Sequence, residues 1–133
     1  MEIVRHDTTA LVAMKGGKFL LIKRGHSPEK GFWAFPGGHV DKGETPYRCM
    51  RREAKEEVGD FKIEKRPFFV FVHDAGILHR HRCHAFHGKP EGNVRAGSDA
   101  AELGWFSLKG MEKLDVTHYT KKILNHMIEK GII

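Results

Sequence analysis

Three glutamates lie close together in the chain, at Glu53, Glu56 and Glu57. If the segment is helical, at about 100° per residue, spacings of three and four place the carboxylates on one face, a turn apart. Like charges at these spacings destabilise a helix, and Arg52 offsets only part of the repulsion. Carboxylate oxygens are the ligands that hard divalent cations such as Mg²⁺ prefer. The spacing therefore indicates a magnesium site or, as the plainer alternative, a solvated acidic helix face.

The element that carries the glutamates is predicted to be a helix beginning at Thr45-Pro46. A Thr side chain can cap the free amide groups of a helix, and Pro fits the first helical position. An apolar stripe suited to packing on a sheet follows at helical spacing: Tyr47, Met50, Ala54 and Val58. A second, basic face is expected in solvent: Arg48, Arg51 and Lys55. The carboxylates therefore lie beside the packed face of the predicted helix.

The stretch from Gly38 to Asp60 resembles the signature of the Nudix hydrolase family, G-x5-E-x7-R-E-U-x-E-E-x-G-U, where U is a bulky apolar residue. Seven positions match: Gly38, Glu44, Arg52, Glu53, Glu56, Glu57 and Gly59. The preceding run, Trp33 to Gly38, also resembles the family's entry to this motif. Two positions depart from it. Ala54 is small but remains on the apolar stripe, and Asp60 is polar, so we expect Phe61 to make the missing apolar contact.

This resemblance implies an α/β fold, a Nudix-type α/β/α sandwich with a central mixed β-sheet, as one domain over residues 1–133. It implies Mg²⁺, with Mn²⁺ as a substitute. The implied ligands are the carboxylates of Glu53, Glu56 and Glu57 and the backbone carbonyl of Gly38. Glu53 is our first choice for the general base. Glu44 and Arg52 complete the implied catalytic set, and we expect them to orient the helix and loop through an ion pair.

The reaction implied by the resemblance is hydrolysis of the pyrophosphate bond in a nucleoside diphosphate linked to another group, X. An ADP-ribose-like nucleotide sugar and an (oxidised) nucleoside triphosphate both remain open as substrates. The proline that marks many ADP-ribose enzymes past this motif is absent, and Asp74-Ala75-Gly76 stand in its place. Two alternatives differ in kind: an RNA 5′-end pyrophosphohydrolase and a non-catalytic, nucleotide-binding regulatory module. The intact glutamate set argues against the second.

Four residues outside the motif are candidate substrate contacts: Arg24, Arg82, Asp99 and Glu102. Arg24 ends a predicted strand and could reach phosphates together with Lys23, although a solvated strand end is the alternative. Asp99 or Glu102 could add a carboxylate to the metal site or act as a base.

A strand rich in His and Arg is predicted over residues 77–87. Alternation places Arg80, Arg82 and His84 on one face. The other face carries His79, His81 and Cys83, for which zinc is conceivable, although no zinc-motif spacing supports it. One face could instead contact phosphate or base, or the strand is simply polar and partly exposed.

The remaining segments alternate between apolar strands and loops. Residues 8–14 and 19–24 are predicted to form a hairpin whose second strand is buried on both faces. Further strands are predicted at 61–66 (a short edge strand), 68–73 and 100–108, with a loop over 88–99. Trp33 is expected to pack beneath the loop formed by Pro36, Gly37 and Gly38, here called the glycine loop. A final helix over residues 117–130 should face the core through Ile123, Leu124, Met127 and Ile128.

Length and charge bound the class of protein. At 133 residues the chain fits one domain, and no apolar run approaches the roughly 20 residues of a membrane span. The net charge of +6 favours anionic ligands, although the basic residues are dispersed. Cys49 and Cys83 form no metal-like pair and are expected to be reduced. We therefore expect a cytoplasmic protein that binds a small-molecule nucleotide and no membrane. Nucleic acid is not expected but stays open, as does a homodimer.

Overall fold

The computed structural model describes residues 2–27, 29–97 and 100–133. The strands are β1 (Val4–Val12), β2 (Met14–Lys15), β3 (Lys18–Arg24), β4 (Trp33–Ala34), β5 (Gly59–Ile63), β6 (Phe69–Asp74), β7 (His79–Val94) and β8 (Ala100–Phe106). The helices are α1 (Pro46–Glu57), α2 (Leu108–Met111) and α3 (His118–Glu129).

The long strand β7 organises the first of two four-stranded sheets. It pairs in parallel with β1 and antiparallel with β6 and β5. The second sheet is built around β3, which pairs antiparallel with β2, β4 and β8. Parallel and antiparallel pairs thus coexist, and the predicted mixed α/β architecture is confirmed.

Strands β1, β3 and β7 bury side chains on both faces. Alternate residues enter two separate cores. One core contains Ala10, Phe19 and Cys83 and packs against α3, whereas the other contains Leu11, Leu20 and Phe86 and packs against α1. The sheets therefore lie between the two long helices, as expected for an α/β/α sandwich, and the buried run in β3 is explained by coverage on both sides.

The predicted hairpin between residues 8–14 and 19–24 is wrong in its first strand. Only Met14–Lys15 pairs with β3, while Val4–Val12 runs parallel to β7 in the other sheet. Parallel partners are distant in sequence, so the local turn at Lys15-Gly16-Gly17-Lys18 was a misleading guide to the pairing of the whole strand. The consequence is functional, because β1 places Thr9 against the glutamate helix, with its Oγ1 3.4 Å from Cys49 Sγ.

Two further expectations need correction. Residues 88–94, predicted as loop, continue β7 and pair with β5. This segment contains Gly and Pro and therefore has low strand propensity, but pairing with β5 holds it in a strand. Ile128 is 50% exposed, although the other three residues predicted to face the core from α3 are buried. In the part of the chain that the structure describes, no helix is long and apolar enough to cross a membrane.

Candidate active site

Helix α1 is held by a side-chain cap at its N-terminus and by core packing along its apolar face. The Thr45 side chain accepts a hydrogen bond from the Arg48 backbone N–H at 3.2 Å, and Pro46 is the first helical residue. Met50 and Ala54 are buried in the core that α1 shares with β1, β3 and β7. The helix packs closely on β1 and β5, so its carboxylate face is presented along the edge of that contact.

The turn after α1 requires glycine. Gly59 has φ +118°, which L side chains rarely adopt, and a Cβ there would lie 2.6 Å from the carbonyl oxygen of Asn93. Beyond it, Asp60 is exposed and Phe61 packs against the α1 core. The apolar contact displaced by Asp60 is therefore made by Phe61, as the sequence predicted.

Arg52 ties the helix to the loop that precedes it. Its Nε and Nη2 atoms donate to the two carboxylate oxygens of Glu44 at 2.8 and 2.9 Å. Nη1 donates to Glu53 Oε1 at 2.8 Å, and Nη2 to the carbonyl oxygen of His39 at 3.2 Å. The bidentate hydrogen bonds from Arg52 lower the pKa of Glu44 to about 2 and raise the pKa of Arg52 above its ordinary value. The loop and helix are thus joined by the ion pair expected from the sequence.

Substituting Glu44→Gln is expected to lower stability at neutral pH and to flatten its acid dependence. The stabilisation from a carboxylate with a depressed pKa is present above its unfolded pKa and is lost as pH falls through that value toward about 2. Urea unfolding at about pH 7 and about pH 3 would measure this in both proteins. Parallel losses of stability on acidification in the two proteins would contradict the assignment.

The three glutamates of the signature differ in their surroundings. Glu57 is 7% exposed, and its Oε2 accepts a hydrogen bond from the Gly37 backbone N–H at 3.3 Å. The Glu53 carboxylate lies against Gly38, where a Cβ would be only 2.4 Å from Glu53 Cδ. Glu56 has a side chain 54% exposed, with Oε2 3.5 Å from Arg52. Glu53 and Glu57 therefore meet the glycine loop, while Glu56 extends into solvent beside them.

The glycine loop runs antiparallel to β1. The carbonyl of Pro36 accepts from Leu11 N–H at 2.7 Å, and the carbonyl of Gly38 accepts from Thr9 N–H at 2.9 Å. Neither Gly37 nor Gly38 has a positive φ. Close approach is what requires both glycines, since a Cβ on Gly37 would lie 1.8 Å from the carbonyl oxygen of Thr9.

Helix α3 clamps the residue before this loop. The Tyr119 hydroxyl donates to the Phe35 carbonyl oxygen at 2.8 Å, and the Phe35 N–H donates to Thr120 Oγ1 at 3.1 Å. Trp33 packs edge-on against Phe106 with ring centroids 4.9 Å apart, so it is structural, as expected. The glycine loop is thereby fixed between β1 and α3.

A cleft of about 900 Å³ opens over the loop and the carboxylates. This volume is within the range of pockets that hold small-molecule ligands. Its lining includes Glu53 and Glu57 from α1, Arg24 from the end of β3, and Tyr119 from α3. Of the four predicted substrate contacts, Arg24 is placed in the cleft.

Two of the other predicted contacts, Arg82 and Glu102, do not reach the cleft. Arg82 lies on the opposite face of β7, where its Nε is 2.7 Å from Asp7 Oδ1. Glu102 pairs with Lys23 across β3 and β8 at 3.4 Å. Neither lines the cleft. Asp99 lies outside the described residues, directly after a segment in which Gly97 N–H donates to the Glu57 carbonyl at 2.7 Å.

The cleft also contains His81, which the sequence placed on a strand face that could contact phosphate or base, and four aromatic residues that sequence reasoning missed: His39, His73, His118 and Tyr119. Burial, followed by the charge of neighbouring imidazoles, lowers the pKa of His81 to about 4. Burial likewise lowers the pKa of His73 and His39. Alternation in β7 was a signal for His81, but its neighbours come from other segments.

The carboxylates of the cleft determine which cation the site could hold. Among the described residues, no three His, Cys, Asp or Glu side chains have donor atoms already converging on one point. The oxygen donors of Glu53 and Glu57 nevertheless have the chemistry that Mg²⁺ prefers, and the missing Cβ of Gly38 leaves the space into which Glu53 fits. The two carboxylates therefore have the donor chemistry of a site for a hard divalent cation, although among the described residues a third ligand is not yet in place beside them.

The alternative zinc set, His79, His81 and Cys83, is wrong. Cys83 is 1% exposed in the α3 core, and burial raises its pKa to about 12, so the thiolate that zinc requires is not available.

The family model for the NUDIX domain matches residues 4–127. The chain is 36% identical over 106 residues to an ADP-ribose pyrophosphatase from Methanocaldococcus jannaschii, covering 78% of this chain and 63% of that protein. It is 45% identical over 47 residues to an RNA pyrophosphohydrolase from a Nitratiruptor species, covering 35% of this chain and 29% of that one. A MutT NUDIX hydrolase structure from Burkholderia pseudomallei superposes with TM-score 0.80 at 30% identity, covering 91% and 96% of the two chains.

The residues that match the family model include α1 with its glutamates and the loop before it. The chain belongs to the Nudix family. It spans less than two thirds of the length of either curated relative named above.

Proposed function

We propose that this protein hydrolyses the pyrophosphate bond of a nucleoside diphosphate linked to another group, with Mg²⁺ or Mn²⁺ as cofactor. One observation carries the proposal: Glu53 and Glu57 meet the Gly37-Gly38 loop at the base of a cleft of about 900 Å³. An ADP-ribose-like nucleotide sugar is our first substrate, because a relative that matches 78% of this chain is named for ADP-ribose. An (oxidised) nucleoside triphosphate remains the competitor.

The proposed metal ligands are Glu53, Glu56, Glu57 and a backbone carbonyl. When bound, a divalent ion neutralises charge on the diphosphate and lowers the pKa of water. The carbonyl of Gly38, the ligand proposed from the sequence, already accepts hydrogen bonds from the Thr9 N–H at 2.9 Å and from Thr9 Oγ1 at 3.4 Å. Gly37 is an alternative, because its N–H points to Glu57 and, in extended backbone, the carbonyl of the same residue points the same way.

Three side chains are assigned separate roles in this reaction. Glu53 lines the cleft, so we assign it to accept a proton from the attacking water. Arg52 donates hydrogen bonds to both Glu53 and Glu44, and we assign it to fix the position of the carboxylates relative to the loop. Arg24, at the cleft wall, is assigned to the substrate phosphates.

A panel of nucleotides incubated with Mg²⁺ in ¹⁸O-labelled water tests this function. We expect an ADP-sugar to give AMP and a sugar phosphate, with one label in the product whose phosphorus was attacked. Hydrolysis of nucleoside triphosphates alone would shift the substrate to the second class. If no nucleotide gives a labelled product, the proposed hydrolase activity is contradicted and the non-catalytic, nucleotide-binding module is favoured.

RNA is the second candidate, because a relative bears that name and the net charge is +6. Two arginines of the His/Arg-rich strand are already paired, Arg80 with Asp74 at 2.8 Å and Arg82 with Asp7. These pairs reduce the positive charge available to a polyanion. A steep fall of RNA binding with salt concentration, together with release of pyrophosphate from a 5′-triphosphate RNA, would support RNA as substrate.

A further inference from the structure

Four imidazoles from four different segments meet on one face of the first sheet. His6 of β1 is the register partner of His81 of β7, and His73 of β6 is the partner of His81 on its other side. His39 joins them because its segment bridges to β1 at Thr8. Neither the catalytic proposal nor the sequence signature uses this cluster.

The rings of His6, His39 and His81 form a closed triangle. Their centroids are 5.5 Å apart for His6 and His39, 5.9 Å for His6 and His81, and 5.1 Å for His39 and His81. A metal bonds imidazole nitrogen at about 2.0–2.1 Å, which puts each ring centroid about 3.2 Å from the ion. Two such rings at a tetrahedral angle have centroids about 5.2 Å apart. The triangle is therefore close to the size that one tetrahedral ion requires.

The ring nitrogens of all three histidines are accessible to a metal. In the described part of the chain, no hydrogen bond or salt bridge is formed by the ring nitrogens of His6, His39 or His81. His81, whose pKa is about 4, is neutral at physiological pH, and only neutral imidazole binds a metal. The same neutrality argues against capture of a free anion by this group. Among the described residues, no three His, Cys, Asp or Glu side chains are arranged to hold a metal ion as they stand, so binding requires the exposed His6 and His39 to rotate toward His81.

We propose that His6, His39 and His81 form a second metal site, for a cation that prefers imidazole such as Zn²⁺, Co²⁺ or Ni²⁺. It is separate from the carboxylate site in donor chemistry, nitrogen against oxygen. Three protein ligands leave a fourth position open, and because His39 and His81 line the cleft, that position faces the substrate space. Water or an oxygen of an anionic ligand would occupy it.

Cobalt(II) titration of the full chain, with any affinity tag removed, tests the site. Tetrahedral cobalt absorbs visible light far more strongly than octahedral cobalt, so binding at the imidazoles is distinguished from binding at the oxygen-rich carboxylates. We expect one equivalent to produce the strong absorption. His81→Asn and His6→Asn should each weaken cobalt binding by at least about tenfold and abolish the band.

Two variants are matched controls. His84→Asn changes a histidine of the same strand that points to the opposite face and contacts Asp7, and Glu56→Gln changes the carboxylate site. Both should retain the strong band. The proposal is overturned if the folded wild-type chain shows no such band, if the band survives both His variants, or if either control removes it. Circular dichroism monitors folding, and exposed His6 decides the result if His81→Asn fails to fold. Because no step measures hydrolysis, this outcome is independent of the proposed function.

Discussion

Glu57→Gln is expected to lower kcat by about a hundred- to a thousandfold at saturating Mg²⁺, a loss typical of removing one electrostatic contact to a transition state. Glu57 is the most buried of the three signature glutamates, and it accepts a hydrogen bond from the Gly37 N–H. Glutamine keeps the shape and can still accept that hydrogen bond, but it removes the negative charge. Repulsion from Glu53, four residues away, is also relieved, so the folded state should be at least as stable. Steady-state kinetics and a thermal midpoint measure the two effects separately.

Glu129→Gln is the matched control, because Glu129 is an exposed glutamate at the end of α3, away from the cleft. It should leave kcat unchanged. Glu56→Gln is expected to reduce turnover as well, since Glu56 is a proposed ligand despite its exposure. Wild-type turnover in both Glu56→Gln and Glu57→Gln at saturating Mg²⁺ would remove these residues from the ligand set.

Adding one methyl group to the glycine loop should separate activity from folding. In Gly38→Ala the new Cβ would meet the end of the Glu53 side chain at 2.4 Å, and that end can move. We expect a folded protein with kcat lower by about a hundredfold, because a displacement of about 1 Å at a reacting group has that cost. In Gly37→Ala the Cβ would meet the Thr9 backbone carbonyl at 1.8 Å, which cannot move freely. That variant should lose at least about 2 kcal/mol of stability.

Gly92→Ala supplies the control for both glycine substitutions. Gly92 lies in β7 with no heavy atom within 4 Å of an added Cβ and no positive φ. Its kcat and unfolding free energy should match those of the wild-type chain. If Gly38→Ala kept full activity, Glu53 would not need its observed position against the loop, and its assignment as general base would be untenable.

The sequence was most informative where interactions are local. The cap at Thr45, the apolar stripe of α1 and the pair between Glu44 and Arg52 lie within one helix and the loop before it, and all are found as predicted. Local spacing decides such features because hydrogen bonds and side-chain contacts along a helix join residues three and four apart. The family signature also lies in this stretch.

Pairing between distant strands could not be read in the same way. The parallel alignment of β1 with β7 joins residues 75 positions apart, and a Gly-Gly turn near β1 suggested a hairpin instead. That alignment moved Arg82 to a face where it pairs with Asp7, away from the cleft to which it had been assigned.

The sequence by itself therefore determined the helix, its carboxylates and the family to which the chain belongs. The tertiary structure alone decided what stands opposite those carboxylates: the β1 backbone that excludes a side chain at Gly37, the α3 clamp on Phe35, and histidines gathered from four segments. The physical reason is range. Periodicity records which side of an element a residue occupies, whereas the partner across the cleft depends on which strands pair and how far each is shifted in register.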